Sequence, residues 1–266
     1  MAIMNIITQA VVSDGIRGED EVLIKSDKDL IQNTPFYDDG FTISPALSEI
    51  QFEHLKKKLF CYLAGLAQQA GLSFASEFNF VDYHKFVNDD SHRKIAKWEM
   101  PVEIISAEVD AIRLNLEHLL GKKLRVRKIG SDSGLRECAG FRIVRPNKND
   151  HNPFHKDTWL ELWRNTVNVW LPVSGCNDQN ALGLIPGSHL WNEKDILRSS
   201  PGATVNGLKY TVPAAIATTN SFKVKYITPD YCNMLIFSPY LIHGGAINLS
   251  HQTRISIEVR FEQLDS

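Results

Sequence analysis

Apolar residues fall into two rhythms along this chain, and the change between them comes at Gly121. Before it, Phe52, Leu55, Leu59, Leu63, Leu66 and Ala70 recur at three- and four-residue steps. That spacing puts side chains on one face of a helix. Ser44-Pro45 has the form of an N-cap followed by proline at the first helical position, and Gly71 can end the element. Lys56-Lys57-Lys58 breaks the stripe and should face water. A second helix is predicted from Pro101, with Ile105, Val109, Ile112, Leu116 and Leu119 holding the period and Gly121 closing it. Both are expected to cover one face of a sheet.

After Gly121 the pattern alternates. Leu124–Ile129 reads as an edge strand whose basic residues discourage edge pairing, and Gly140–Val144 as a strand that stops before Pro146. Thr166–Pro172 alternates again, with Asn168 and Trp170 on one face and Val167, Val169 and Leu171 on the other. Val224–Ile227, Met234–Phe237 and Ile255–Phe261 complete the set, and Phe41-Thr42-Ile43 could add a short strand earlier. Residues 1–40 show turn signals and no strong regular element. Residues 73–100 read as loop with short helical pieces around Phe74, Phe78, Phe80, Tyr83, Phe86 and Trp98. Residues 190–229 look like a long excursion of the kind that carries specificity or acts as a lid. Short strands with turn punctuation, preceded by two helices, predict a mainly β fold with flanking helices: a jelly-roll barrel. A single domain over 1–266 is the simplest organisation, with 1–123 largely helical support, 124–262 the jelly-roll core and an insertion at about 190–229.

Composition narrows the class. With 43% hydrophobic and 23% charged residues the chain fits an ordinary soluble globular protein. A net charge of −2 argues against a general nucleic-acid binder. Four scattered cysteines without a C-x-x-C pair read as reduced thiols. Met1–Ile6 lacks the basic and apolar segments of a signal peptide, and no apolar run reaches the ~20 residues of a membrane span. The expectation is a cytoplasmic protein acting on a small molecule, without nucleic-acid or membrane partners; the oligomeric state stays open.

The candidate chemistry centres on His155-Lys156-Asp157. In an extended backbone residues i and i+2 share a side, so one short segment can offer an imidazole and a carboxylate to one ion. The matching third ligand is His243, far along the chain. Two histidines and one carboxylate on one face of Fe(II) leave three positions open. Eleven residues after His243 comes Arg254-Ile255-Ser256, whose Arg254 and Ser256 share a strand face and could hold a carboxylate. His189 follows a Gly-Ser turn and reads as support for that turn rather than as a ligand.

These residues, in this order, carry a resemblance. His155-Lys156-Asp157, the segment Ala181–His189, His243 with Asn248, and Arg254-Ile255-Ser256 resemble the phytanoyl-CoA dioxygenase-like (PhyH) branch of the Fe(II)/2-oxoglutarate oxygenases. The resemblance spans about Phe141 to Phe261. It implies a double-stranded β-helix (cupin-like barrel), Fe(II) on His155, Asp157 and His243, 2-oxoglutarate as co-substrate and O₂ as oxidant. It also implies Arg254 on the distal carboxylate of 2-oxoglutarate, with Ser256 beside it. The expected reaction is hydroxylation of a small molecule with release of succinate and CO₂. Related halogenases carry a small residue where Asp157 stands, so an oxygen-derived outcome is expected here.

Other residues have two readings each. Asn168 could donate to the bound oxoacid or be satisfied within the protein. Arg142 or Arg145 could point into the barrel towards an anion, or lie on a solvated sheet face. Trp159 and Trp163 could stack on a substrate at the pocket mouth, or only fill the interior. The basic bias from Lys122 to Lys148 permits an anionic substrate. A different class also stays open: a metal-dependent cupin-type isomerase or hydrolase, or a ligand-binding jelly roll. Arg254-x-Ser256 speaks against it, because those chemistries need no oxoacid anchor.

Overall fold

The computed structural model describes residues 4–26, 29–74, 78–96, 99–131, 134–245 and 247–264; Trp98 and Met1-Ala2-Ile3 lie outside them. Its first long helix, Glu49–Gln69, starts later than Ser44-Pro45 suggests. Ser48 is the N-cap: its Oγ accepts from Gln51 N–H at 3.4 Å, and the Gln51 side chain accepts from Ser48 N–H at 2.9 Å. This reciprocal cap satisfies two otherwise orphaned donors, which proline at the first position cannot do. Pro45 instead ends the Phe41–Pro45 strand, opposite Asn233. Pro101 likewise ends a short strand, Glu99–Pro101. A 3₁₀ turn over Val102–Ile105 then leads into the second helix, Ser106–Leu120. Gly121 closes that helix at φ +63°. Leu120 rather than Leu119 continues its buried stripe.

Eight antiparallel strands make the main sheet, six of them in the order Phe41–Pro45, Asn233–Phe237, Thr166–Ser174, Arg254–Gln263, Gly134–Val144 and Glu99–Pro101. The alternating stretch after Gly121 divides in two. Leu124–Val126 pairs with the end of Arg254–Gln263, and Lys128–Ser131 pairs with the start of Gly134–Val144. One face of the sheet carries Phe141, Ile143, Val167, Val169, Leu171, Ile255, Ile257, Val259 and Phe261. These join Phe52, Leu55, Leu59, Leu63, Ile112 and Leu116 of the helices in one core. Each fully buried side chain of this size stabilises by about 1.5–3 kcal/mol, so this seam fixes which face of every strand turns away from it. The opposite face carries Arg142, Asn168, Trp170, Arg254, Ser256, Glu258 and Arg260.

That polar face looks onto a second layer. Lys225–Ile227, Leu182–Leu184 and His243–Gly245 form a three-stranded sheet, and a bridge between His155 and His243 extends it. Ala215 N–H donates to Phe154 O at 2.7 Å, tying this edge to a four-stranded sheet. Its order is Asn5–Ile6, Ala215–Thr218, Ile196–Ser199 and Gly15–Arg17. Two expectations change here. The N-terminal segment does contain strands, which pair with a partner too distant in sequence to leave a local pattern. The 190–229 excursion supplies sheet strands and a hairpin, Ala203–Val205 with Leu208–Tyr210, rather than a bare lid. Among the described residues no helix is long and apolar enough to cross a membrane.

Candidate active site

His155 and His243 face each other across two backbone hydrogen bonds, His155 N–H to His243 O at 2.8 Å and the reverse at 2.9 Å. Gly244 permits this approach: a Cβ there would lie 2.7 Å from the backbone N and Cα of Phe154. The Nδ1 of His155 lies 2.8 Å from Pro153 O and that of His243 lies 3.0 Å from Leu241 O. A carbonyl can only accept, so both rings carry the proton on Nδ1 and turn an Nε2 lone pair inward. Burial pushes the His243 imidazole down to about 4 although Asp157 opposes it, which keeps it neutral.

Asp157 completes the group. It starts a short 3₁₀ turn, Asp157–Trp159, instead of continuing an extended strand. Its Oδ1 lies 3.1 Å from His155 Nε2 and 3.7 Å from His243 Nε2. One ligand atom from each of the three residues lies within 4.8 Å of the others, and all three side chains are buried. Its Oδ2 takes three N–H groups: Asn168 Nδ2 at 2.7 Å, Arg260 Nη2 at 2.8 Å and Arg260 Nε at 3.2 Å. Burial alone would raise the Asp157 carboxyl, but Arg260 holds it well below the usual carboxylate range. Two imidazoles and one ionised carboxylate suit a divalent iron, with three positions to spare.

Arg254 and Ser256 lie on the same strand face, 4% and 0% exposed. Arg254 donates to Asn180 O at 2.7 Å and its guanidinium sits 5.5 Å from the Trp170 ring centre. Its Nε and the Ser256 Oγ are buried without a partner among the described residues. Burial drives the guanidinium down to about 10. A buried cation beside an idle donor is costly in an otherwise complete protein. A carboxylate of an oxoacid satisfies both. Arg254, His155 and His243 line one cavity, together with Arg142, His151 and Glu258. The donor set and these orphaned atoms therefore fit iron and 2-oxoglutarate.

The remaining expectations divide. Arg142 and Asp150 line both this cavity and an outer pocket. Arg145 points elsewhere, paired with Asp150 at 2.7 Å and Asp89 at 2.8 Å. Asn168 serves Asp157, as described. Trp159 and Trp163 lie outside the lining of this cavity. Trp159 donates to Glu193 at 2.9 Å, and Trp163 lies under the Arg260 guanidinium, 4.2 Å from it. Both rings are used by protein partners. His189 donates from Nε2 to Tyr37 O at 2.7 Å, which ties its turn to residues 37–40. Sequence reasoning overlooked Arg260, Glu258 and His151. The first two were legible: they continue the Arg254, Ser256 alternation on a strand whose other face is wholly apolar.

Residues 64–256 match the family model of phytanoyl-CoA dioxygenase (PhyH). The chain belongs to the phytanoyl-CoA dioxygenase family. As a member it is a non-haem iron, 2-oxoglutarate-dependent oxygenase. No curated protein matches it. Among solved structures, EctD from S. alaskensis, determined with 2-oxoglutarate and 5-hydroxyectoine, is 13% identical with a TM-score of 0.56, covering 99% of this chain and 84% of that one. AviO1 from Streptomyces viridochromogenes Tue57 is 13% identical with a TM-score of 0.52, over 87% and 93%. SnoK, a non-heme alpha ketoglutarate dependent carbocyclase from nogalamycin biosynthesis, is 14% identical with a TM-score of 0.50, over 90% and 87%. These likenesses establish the jelly-roll fold of this PhyH chain.

Proposed function

We propose that this PhyH protein hydroxylates a small molecule, with His155, Asp157 and His243 holding Fe(II) and Arg254 and Ser256 holding 2-oxoglutarate. The observation that carries this reading is the pairing of two features in one cavity. Three ligand atoms converge, and beside them a buried arginine and serine keep donors that no described residue uses. When bound, iron with 2-oxoglutarate and O₂ supplies the oxidising power: a substrate C–H becomes C–OH, and 2-oxoglutarate leaves as succinate and CO₂.

The chain's own residues do the rest. Pro153 O and Leu241 O fix the histidine tautomers. Asn168 and Arg260 fix the carboxylate. Arg254 orients the oxoacid by a charge-assisted pair that is strong in a site closed to water. Arg142, which lines both the cavity and the outer pocket, supports a substrate that carries an anionic group. Its guanidinium is itself lowered by burial, with Glu258 opposing that shift, so an incoming anion would meet a poorly solvated cation. Strands from residues 5–17 and 196–218 pair with each other beside the site, which supports one catalytic unit over 1–266. Succinate formation that needs both iron(II) and O₂, and disappears in Asp157→Ala, tests the reading. Succinate formation surviving in that variant would exclude it.

A further inference from the structure

We propose that Arg260 is a positioning residue that keeps Asp157 a single-oxygen donor, so that the metal site retains the places a chelating oxoacid and O₂ require. The inference rests on the iron reading above. Its basis is the division of labour between the two oxygens of one carboxylate. Oδ1 faces both Nε2 atoms, at 3.1 and 3.7 Å. Oδ2 is turned away from them and receives three N–H groups, two from Arg260 and one from Asn168. An oxygen that accepts this many donors has no lone pair left for a metal.

The clamp is itself held firmly. Arg260 and Asn168 are direct register partners on adjacent strands, so both reach Oδ2 from one sheet face. The guanidinium lies 4.2 Å from the centre of the Trp163 ring on one side, and its Nη2 lies 2.5 Å from Glu258 Oε1. A planar fork fixed in this way cannot swing aside to release Oδ2. Two histidines and one oxygen leave three positions on a six-coordinate ion, whereas a carboxylate bound through both oxygens would take one of them.

The placement also has a sign that simple metal-holding does not explain. A cation beside a divalent ion opposes its binding by Coulomb repulsion. Arg260 also keeps Asp157 ionised, which favours the metal, but its own charge repels the ion, and preserving vacant positions is the role that both effects leave in place. Removing it should therefore leave metal binding intact or tighter while weakening the oxoacid.

The test uses Arg260→Met, which keeps the length and the apolar contact with Trp163 but removes the charge and the donors, and Arg260→Lys, which restores a cation and a donor. Cobalt(II) is titrated into each full-length protein by calorimetry, and 2-oxoglutarate into the cobalt-loaded form under argon. In Arg260→Met the expected result is cobalt affinity equal to wild type within about threefold, or tighter. 2-Oxoglutarate affinity should be lower by about tenfold or more, about 1.4 kcal/mol, because a second carboxylate oxygen would compete for one of its places. Arg260→Lys should recover most of that loss. Unchanged 2-oxoglutarate affinity in Arg260→Met, joint loss of both affinities, or no recovery with lysine would each overturn the proposal. Wild-type protein that takes up no cobalt would instead remove the iron reading, and this inference with it.

Discussion

Replacing Arg254 separates co-substrate binding from metal binding, because it faces the same cavity as the triad without belonging to it. Its guanidinium is 4% exposed, has one protein acceptor at Asn180 O, and leaves Nε without a partner among the described residues. Burial lowers it by roughly two to three decades, to about 10. That corresponds to about 3 kcal/mol by which the unliganded protein fails to stabilise the charged form. A bound carboxylate is the natural compensation, so its loss in Arg254→Ala should cost a similar amount. About 3 kcal/mol is a little over two decades in affinity. Lysine keeps the charge but loses the two-donor fork, and Arg254→Lys should fall between, about one decade from wild type. The assay is calorimetric titration of 2-oxoglutarate into cobalt-loaded protein under argon, with cobalt affinity measured beforehand. Cobalt binding should match wild type within about threefold in both variants, since Arg254 is not among the three converging ligands. Alanine and wild-type proteins with equal 2-oxoglutarate affinity would refute the reasoning.

Two further predictions concern the scaffold. Gly244→Ala puts a methyl group 2.7 Å from the Phe154 backbone and should separate the two histidine segments, so that cobalt affinity falls at least about tenfold; wild-type affinity would show that the second layer can yield. Asp29 is buried, and burial raises its carboxyl from 3.8 to about 6 despite bonds from Ile31 N–H and Ser238 Oγ–H. A folded-state value above the unfolded one gives stability that is full below about pH 4 and lost as pH rises through 6, by about 3 kcal/mol. Urea unfolding of Asp29→Asn at pH 4 and pH 7 should show the variant gaining on wild type at the higher pH, and a pH-independent difference would contradict this.

The helices, most strands and the metal triad could be read from the sequence because each leaves a local signature. Helical spacing marks Phe52 to Leu66, alternation marks Thr166–Pro172, and His-x-Asp with a late histidine marks the ligands. What could not be read depends on partners distant in the chain. The strands at Asn5–Ile6 and Gly15–Arg17 form by pairing with residues 196–218, and nothing in their own composition announces it. Pro45 and Pro101 looked like helix starts because proline fits a first turn as well as a strand end. The capping box at Ser48 and the 3₁₀ turn at Val102–Ile105 decided the matter. Trp159 and Trp163 suggested a pocket mouth, yet Glu193 and Arg260 use their faces and edges. Arg260 is the instructive omission. Once Arg254 and Ser256 are placed inward, strand alternation puts Glu258 and Arg260 inward too, and a buried arginine needs an acid; Asp157 was the available one.

The central claim is that one buried site joins a metal triad to an oxoacid anchor and uses both with O₂. The most direct test follows 2-oxoglutarate and succinate by proton NMR in purified protein, without added substrate, aerobically with iron(II). Parallel samples are kept anaerobic, treated with chelator, or carry Asp157→Ala or Arg254→Ala. Expected is slow conversion of 2-oxoglutarate to succinate that requires both iron and air, is absent in Asp157→Ala, and in Arg254→Ala appears only at much higher 2-oxoglutarate. Succinate formed equally by Asp157→Ala, or by the chelated or anaerobic protein, would contradict the claim.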